Sequence, residues 1–406
     1  MMISPAHVIK VRLKHGREKP IIQGQPWIFS GAVAAWEGTP VVGMVADVFA
    51  ANGEWLARGL ANPTTSLAIR LYTWQREQAL DEAFFATTIA RAVARRRSLP
   101  GYGEGSNAST NAWRLIFSEA DGLSGLIVDR YADVLAMRVG AAVLAPLVPM
   151  FAAELRRITG ATTVHVAVAE DEAEREKLAP ETFSTVSNTL PGLVRIRENS
   201  LLFDVDLMGG QKTGFFLDQR ENRRRVAAWA RGRRMLSTYC YTGAFEIYAA
   251  AAGATEILGF DRSSPALEQA RAHHRLNNLT VPVAYERADV PTALRQLRDA
   301  GKNFDLIVLD PPKFVLNRAQ KEKGLRAYKD INLLALKLLA SGGVLATFSC
   351  SGQITPADFR MLLGWAAADA RRGVQIVETM GQPSDHPILA VFPDSEYLKG
   401  AICRVT

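Results

Sequence analysis

Over the second half of the chain, short apolar runs alternate with longer stretches whose apolar residues recur at helical spacing. The runs that predict strands are "RRMLSTYCYTG", "TEILGFDRS", "VAYERAD", "FDLIVLDPP" and "GGVLATFSCS", and helices are expected at 244–252, 264–276, 291–300, 323–340 and 355–371. Two further strands are expected in "VQIVETMG" and "AVFPDSEYLKGAICRVT". Strands that alternate with helices are typical of a doubly wound parallel sheet. Residues 201–406 therefore predict an α/β domain of Rossmann-like architecture.

The first 74 residues show no such alternation. "HVIKVRLKHG" places apolar residues, Val11 and Leu13 among them, between Lys10, Arg12 and Lys14, which is the alternation of a strand. "GMVADVFAANGEWLARGLANP" predicts two strands around an Asn-Gly turn. No helix of three turns is expected, so residues 1–74 predict a small β-barrel-like domain. The basic strand face is open to two interpretations, a solvated surface or a contact with RNA.

Residues 75–200 predict an α+β domain. "ALDEAFFATTIARAVARRRSLP" has helical spacing and is stopped by Pro100, and a second helix is expected at about 144–158. Between these helices, "WRLIFSEADGLSGLIVDRY" predicts a hairpin that turns near Asp121, and "DVLAMRVGA" predicts its neighbour. The acidic stretch in "VAVAEDEAEREK" would repel a phosphate backbone, so we expect a solvated loop or helix there; its acids are Glu170, Asp171, Glu172, Glu174 and Glu176.

Composition narrows the class of protein. No apolar run approaches the ~20 residues of a membrane span, and the first residues lack the apolar segment of a signal peptide. Three cysteines, scattered along the chain, are too few for a disulfide framework or a zinc site. We therefore expect a cytoplasmic protein without a membrane partner or a metal. The net charge of +7 indicates a polyanionic partner only weakly.

Four chemical residues fall at the ends of the predicted strands, where ligands bind in such sheets; they are Gly243, Asp261, Asp289 and Asp310. An acid at the tip of the second strand suits a ribose diol, because a carboxylate accepts both hydroxyl protons. The first turn, "STYCYTG", lacks the glycine fingerprint that a pyrophosphate requires. The sequence thus favours S-adenosylmethionine over a dinucleotide.

The segment "LDPPKF" follows the fourth strand. Pro311 and Pro312 stiffen the loop after Asp310, and Lys313 and Phe314 can then face a flat base. The alternative is a simple turn that ends the strand. Together with the adenosine site, this loop indicates a methyltransferase that acts on a nucleobase.

Cys350 ends the fifth strand, which is expected to lie beside the fourth. A cysteine is often a buried filler. At a strand tip next to Asp310, however, a thiolate is placed to add to carbon 6 of cytosine, which activates carbon 5 for methylation. A nearby positive charge such as Lys313 would help to form the thiolate. We therefore predict that Cys350 is a nucleophile and Asp310 its catalytic partner.

Several longer motifs resemble one known family. "TFSCSG", "VLDPPKF", "AYKDINLLALKLLASGG", "KTGFFLDQR" and "DHPILAVFPDSEYLKGAICRV" are similar to motifs of the bacterial 23S rRNA 5-methylcytosine methyltransferases of the large-subunit type I class. "GREKPIIQGQPWIFSGAV" resembles the N-terminal PUA domain of that family, an RNA-binding module, and "SEADGLSGLIVDRY" resembles its central domain. The resemblance covers nearly the whole chain.

The resemblance implies an S-adenosylmethionine-dependent enzyme that acts on large-subunit ribosomal RNA, with Cys350 as its nucleophile. The cofactor contacts that it implies are Lys212, Asp218, Tyr241, Thr242, Gly243, Asp261, Arg262, Asp289 and Asp310. The expected contacts with RNA or its target base are Lys10, Arg12, Lys14, Pro311, Pro312, Lys313 and Phe314. The segment 212–220 resembles a strand and turn that precede the first Rossmann strand.

The chain departs from related methyltransferases at Ser237, where an acid or asparagine often contacts the amino group of the methionine, and in the acidic stretch of the central domain. Two other functions stay open. One is methylation of an exocyclic amino group, for which acid-Pro-Pro-aromatic loops also serve. The other is a non-catalytic RNA-binding assembly factor. A homodimer is compatible with the sequence, but no residue specifically predicts it.

Overall fold

The computed structural model describes residues 8–104, 107–167, 170–178, 192–210, 212–315 and 317–406, without the side chains of 170–172. Its described residues form two compact units. The first runs to Ser200 and also includes Val205–Leu217 and Ser384–Ser395. The second comprises Leu201–Asp204, Asp218–Pro383 and Glu396–Thr406. Among the described helices, none combines the length and the apolar character that crossing a membrane requires.

The N-terminal part of the first unit is a six-stranded sheet with the order β2-β6-β5-β4-β1-β3. Strands β1 to β6 are Val8–Leu13, Trp27–Phe29, Val33–Glu37, Val45–Phe49, Trp55–Ala61 and Leu67–Thr73, and the short helix α1 is Lys19–Ile22. In β1 the buried residues are Ile9, Val11 and Leu13, whereas Lys10 and Arg12 are exposed. The expected strand alternation and the Asn-Gly turn between β4 and β5 are confirmed.

The rest of the first unit contains a four-stranded sheet with the order β10-β9-β8-β7. Strands β7 to β11 are Ala112–Phe117, Leu126–Tyr131, Val134–Val139, Thr163–Ala167 and Val194–Glu198, and helices α2 to α4 are Glu82–Arg97, Val148–Thr159 and Glu170–Glu176. The predicted helix ending before Pro100 and the predicted hairpin are confirmed. The helix expected from 144 begins as a tighter 3-10 helix, Ala142–Leu147, that contains Pro146.

The acidic stretch is helical in α4, but it is not simply solvated. Glu176 is buried and pairs with the buried Arg70 at 2.7 Å, and it also accepts a hydrogen bond from Asn62. The expectation of a fully solvated segment is therefore wrong for Glu176, because its charge is neutralised inside the unit. The side chains of residues 170–172 lie outside the described part of the chain.

The second unit contains a seven-stranded sheet with the order β15-β14-β13-β16-β17-β19-β18. Its strands β13 to β19 are Arg234–Thr238, Glu256–Asp261, Val283–Arg287, Phe304–Leu309, Leu339–Ser349, Val374–Gly381 and Lys399–Val405. Strand β12, Leu201–Val205, is not part of this sheet and pairs with β11. Strands β13 to β17 pair in parallel, and β19 pairs antiparallel with both β17 and β18. The predicted doubly wound sheet is confirmed, with this antiparallel extension at one edge.

Helices cover both faces of this sheet. Helices α5 to α10 are Arg220–Ala227, Ala244–Ala251, Ser264–Leu276, Val290–Asp299, Lys321–Leu338 and Pro356–Ala370. Apolar residues of α8, α9 and α10 form a buried cluster with one face of the sheet, and apolar residues of α5 and α6 form a buried cluster with the other. The five helices predicted after strands are confirmed to within a few residues. The parallel arrangement brings the carboxyl ends of the five strands β13 to β17 to one edge.

Two sequence expectations are wrong. The segment 212–220 contains no strand among its described residues; it forms turns followed by the 3-10 helix Leu217–Gln219, which leads into α5. The last predicted strand covers only Lys399–Val405, since Pro393–Ser395 forms a 3-10 turn. In both segments proline or glycine interrupts the apolar pattern, and the local backbone turns instead of extending.

Candidate active site

The turn after β13 contains residues in the left-handed region. Tyr239, Tyr241 and Gly243 have φ angles of 58°, 49° and 79°. Such a φ costs a residue other than glycine about 1–2 kcal/mol. The tyrosines thus adopt the conformation that glycine supplies in the glycine-rich fingerprint, which explains how "STYCYTG" forms a ligand turn without that fingerprint. Strain of this kind is retained at functional sites when the surroundings hold it in place.

Hydrogen bonds from outside the turn provide that support. The Tyr241 N–H donates to Asp261 Oδ2 at 2.9 Å. His273 is buried on α7, where its Nε2 accepts the N–H of Asp204 at 3.0 Å. Its Nδ1 lies 2.9 Å from the Thr242 carbonyl oxygen, and its Nε2 also lies 3.1 Å from the Asp204 carbonyl oxygen. The backbone of the turn is thus fixed from two neighbouring elements.

Asp261 is the last residue of β14 and is partly exposed. Each of its carboxylate oxygens accepts one backbone N–H at 2.9 Å, from Tyr241 and from Ser263. A carboxylate has about four acceptor positions, so both oxygens retain the capacity to accept a hydroxyl proton. These acceptor oxygens fit the ribose hydroxyls of an adenosine cofactor.

Arg262 and Asp289 form an ion pair beside Asp261. The Arg262 guanidinium lowers the pKa of Asp289, and hydrogen bonds from Thr292 act in the same direction. Asp289 also caps α8, because its Oδ1 accepts the Thr292 N–H at 3.3 Å. The structure therefore brings these two predicted residues together at the strand ends, with Asp289 in a structural role at the start of α8.

Asp310 follows β16 and accepts a hydrogen bond from Gln219 Nε2 at 3.0 Å. Gln219 is in turn held by Asn222, whose Nδ2 donates to Gln219 Oε1 at 2.7 Å. The preceding Asp218 is buried and accepts the hydroxyl proton of Tyr397 at 2.6 Å. Gln219 was not identified from the sequence. Its position inside the "KTGFFLDQR" motif was the available signal.

Cys350 lies directly after β17 and is partly exposed. Its thiol lies 3.9 Å from the Pro311 carbonyl oxygen, within reach of a weak S–H hydrogen bond. The hydroxyl of the following Ser351 lies 2.9 Å from the Tyr328 hydroxyl, and the Phe314 and Tyr328 rings are 4.7 Å apart. The expected juxtaposition of the Asp-Pro-Pro loop and the cysteine is thus present in the second unit.

The side chains of this loop differ in exposure. Pro312 and Lys313 are exposed, and Phe314 is partly buried against Tyr328. The other two cysteines are buried, and burial raises their thiol pKa, to about 12 for Cys403 and well above the usual value for Cys240. Neither is poised to form a thiolate, so Cys350 is the cysteine that the structure leaves available for nucleophilic chemistry.

A buried polar group behind the turn was not identified from the sequence. Glu246 lies on α6 with no exposed surface, and neither of its carboxyl oxygens has a hydrogen-bond partner among the described residues. Burial raises its pKa to about 7, the nearby Ser237 hydroxyl acts against this shift, and Asp261 and Asp310 add to it. A buried carboxyl thus lies close to Ser237 behind the turn.

The remaining predicted site residues belong to the first unit. The Lys212 ammonium lies 4.3 Å from the centre of the Phe216 ring. On β1, Arg12 pairs with Glu37 at 3.2 Å, while Lys14 Nζ donates to the Gly31 carbonyl at 2.9 Å. Asp47 also lies beside Lys10 in the parallel ladder of β1 and β4. The Asp47 carboxylate, however, pairs with Arg58 at 2.7 Å, so the acidic partner shown for these three basic residues is Glu37, which pairs with Arg12.

The raised pKa of Glu246 makes stability depend on pH. Because the folded chain holds this proton more tightly than the unfolded chain, its contribution is present below pH 4.5 and is lost as the pH rises to about 7. Glu246→Gln removes this loss, so the stability of the variant relative to the native protein should rise by about 3 kcal/mol between pH 4.5 and pH 8. Urea unfolding at the two pH values measures the difference. The control is Glu268→Gln, which replaces an exposed carboxylate on α7 and should show no such change with pH. If the unfolding free energies of Glu246→Gln and the native protein differ by the same amount at both pH values, the raised pKa of Glu246 is contradicted.

Comparison with known proteins agrees with this arrangement. Residues 171–399 match a family of S-adenosylmethionine-dependent methyltransferases, and residues 11–74 match a PUA-like domain. The chain is 42% identical over 404 residues to ribosomal RNA large subunit methyltransferase I of Shewanella amazonensis, covering 98% of this chain and 99% of the relative. It is 38% identical over 407 residues to the protein of the same name from an Enterobacter species, with the same coverage of the two chains.

Solved structures show the same fold. A putative methyltransferase from Streptococcus mutans superposes with a TM-score of 0.81 at 20% identity, covering 97% of this chain and 99% of that one. A putative methyltransferase solved in complex with SAH superposes with a TM-score of 0.82 at 19% identity, covering 98% and 99%. With the family match and the relatives over nearly the full length, the chain belongs to the S-adenosylmethionine-dependent ribosomal RNA large subunit methyltransferase I family, in which a PUA-like domain precedes the methyltransferase domain.

Proposed function

We propose that this protein methylates carbon 5 of a cytosine in large-subunit ribosomal RNA, with Cys350 as the covalent nucleophile. The relatives are named for methylation of that RNA. The observation that carries the chemistry is the position of Cys350 at the tip of β17, with its thiol against the backbone of the Asp-Pro-Pro loop. We propose a cytoplasmic location on the same ground, since the relatives are named for ribosomal RNA methylation.

The target carbon needs activation. Addition of the Cys350 thiolate to carbon 6 breaks the ring double bond and places electron density on carbon 5. S-Adenosylmethionine would supply the methyl group to this carbon and would leave as S-adenosylhomocysteine. Loss of the carbon 5 proton and expulsion of the thiolate then restore the double bond. Asp310 would orient the cytosine or protonate its ring nitrogen as the thiol adds.

The cofactor contacts are proposed at the strand ends of the second unit. Asp261 would accept the ribose hydroxyls, Asp289 with Arg262 would lie on the adenine side, and Glu246 supplies a carboxyl behind the turn. The remaining proposed contacts are Lys212, Asp218, Tyr241, Thr242, Gly243 and Asp310. Pro311, Pro312, Lys313 and Phe314 would face the target base, because the loop that contains them begins at Asp310 and contacts the Cys350 thiol.

The rival activity, methylation of an exocyclic amino group, draws on the same loop and requires no thiol. Removal of the Cys350 thiol should abolish methylation of carbon 5 but not methylation of an amino group. The variant Cys350→Ala therefore decides between the two activities. A non-catalytic assembly factor would leave the rRNA unmethylated in every form of the protein. Mapping the methylated nucleotides of rRNA from a deletion strain, with and without the restored native gene, tests that third alternative.

The nucleophile is tested with Cys350→Ala. We expect loss of methylation with unchanged cofactor binding, because the thiol lies beyond the adenosine contacts. RNA that carries 5-fluorocytosine at the target should form a stable covalent adduct with the native protein, since fluorine is not lost as a proton is. Cys403→Ala, which removes a buried thiol of β19, is the matched control and should methylate normally. Comparable methylation by Cys350→Ala would replace this mechanism with amino methylation.

The ribose contact is tested with Asp261→Ala. Loss of hydrogen bonds to a charged acceptor should weaken S-adenosylmethionine binding by about 1.5–3 kcal/mol, roughly 10- to 100-fold. Asp305→Ala is the matched control, because this carboxylate lies at the amino end of β16 and accepts the Arg234 N–H at 2.9 Å. Calorimetric titration measures both affinities. An unchanged affinity for Asp261→Ala would remove Asp261 from the cofactor site.

RNA binding by the PUA-like domain is tested with alanine at Lys10, Arg12 and Lys14 together. For each phosphate that the variant no longer neutralises, the salt slope of binding should fall by ~0.7–0.9. Glu37→Ala provides the opposite control, because it releases Arg12 from its ion pair and should strengthen binding. Titration with an rRNA fragment over a range of salt concentrations measures the slope. If the triple variant keeps the native slope, the strand is a solvated surface.

A further inference from the structure

Lys399, the first residue of β19, is buried beside the cysteine strand. Only 4% of its surface is exposed, and its Nζ donates to the Ser351 carbonyl at 2.7 Å and to the Tyr397 carbonyl at 2.8 Å. In the antiparallel ladder Lys399 lies opposite Ser349. The backbone of Lys399 is therefore paired with the residue before Cys350, and its ammonium group is held by the carbonyl of the residue after Cys350.

A buried ammonium group is costly unless a negative charge accompanies it. Among the residues that the structure describes, Lys399 forms no ion pair with a carboxylate; its two acceptors are neutral carbonyls. Burial lowers its pKa to about 8, and Cys350 is the strongest of the negative groups that oppose this shift. Glu396 and Asp358 act more weakly, and Lys313 acts in the other direction.

Of the other charged neighbours, Asp358 is engaged, Lys313 is exposed, and Glu396 is partly exposed and acts on Lys399 more weakly than Cys350 does. Asp358 pairs with Lys321 at 2.7 Å and caps α10. Lys313 is exposed, so solvent and salt screen its charge. On the side of α9, the Tyr328 hydroxyl lies 2.9 Å from that of Ser351, and burial keeps its pKa raised. A thiolate at Cys350 is the anion that Lys399 is placed to balance.

We propose that Lys399 is the counter-ion of the Cys350 thiolate and thereby the positioning residue that activates the nucleophile. This inference rests on the proposed function of Cys350. The proton balance is simple: the thiol S–H bond breaks, its proton passes to the neutral Lys399 amine, and the thiolate and the ammonium remain as a pair. The buried Lys399 keeps the thiolate available before RNA binds, which the exposed Lys313 cannot do to the same extent.

The test measures the thiol directly, in the free protein without RNA or cofactor. The rate at which iodoacetamide alkylates Cys350 is followed against pH, with the Cys350 peptide read by mass spectrometry so that Cys240 and Cys403 do not contribute. The midpoint of the pH profile gives the thiol pKa, independent of the lower intrinsic reactivity of an acidic thiolate. In the native protein we expect a midpoint at least one unit below the ordinary ~8.5.

Lys399→Met should raise this midpoint by one unit or more, which is a tenfold loss of thiolate at neutral pH. Lys399→Arg should largely retain the native midpoint, because it keeps the positive charge. Lys313→Met is the matched comparison and should shift the midpoint less, by an amount that disappears in high salt. A native midpoint at or above ~8.5 overturns the proposal without any variant. An unchanged midpoint in folded Lys399→Met also overturns it and leaves Lys399 as a tie between β17 and β19.

Because alkylation requires no RNA, the role of Lys399 and the proposed function of Cys350 can be rejected independently of each other. Methylation by Cys350→Ala would reject cytosine attack even with a low thiol pKa. An ordinary thiol pKa in the native protein would reject the Lys399 pairing even with full loss of methylation in Cys350→Ala. Circular dichroism shows whether Lys399→Met and Lys399→Gln are folded. The alkylation midpoint is then taken from a variant that is folded.

Discussion

The parallel pairing of β16 with β17 is the constraint on which the candidate active site depends. Its register places Leu309, the last residue of β16, opposite Thr347. Asp310 and Cys350 therefore leave the sheet at the same edge, although 40 positions separate them in the sequence. β13 and β14 join the same parallel set, which brings the cofactor turn and Asp261 to that edge as well. A slip of one residue would invert the side chains of the strand and remove the arrangement.

Much of this could be predicted from the sequence, because the strand–helix alternation and the acids at strand ends are local patterns. Asp261, Asp310 and Cys350 each follow an apolar run directly, and the topology of a doubly wound sheet then places them. The segment 212–220 and the last strand were less predictable. Their apolar residues suggest an extended strand, but glycine and proline allow the backbone to turn there. The hairpin-like alternation in "VRIRENSLLFDV" was a usable signal for β11 and β12 that the strand assignment did not include.

Contacts between distant residues could not be predicted in the same way. Gln219 reaches Asp310 across 91 positions and Lys399 reaches Ser351 across 48, and neither pair has a local signature. The pairing of Arg12 with Glu37 likewise appears only once β1 and β3 are aligned. Glu246 is a different case. It stands in "GAFEIYAAAAG", a helix that is apolar on all sides and hence buried, so that a lone acid there was a detectable anomaly.

The contacts of Ser351 have a consequence for the preorganisation of the site. Its hydroxyl lies 2.9 Å from that of Tyr328 on α9 and accepts the Val315 N–H at 3.3 Å, while its carbonyl accepts the Lys399 ammonium. The proline loop, the end of β17 and the start of β19 are thus all joined by hydrogen bonds through one small residue. The entropy of aligning these groups is then lost during folding and not in each catalytic cycle. Loosening this junction would slow turnover more than it would weaken the capture of RNA.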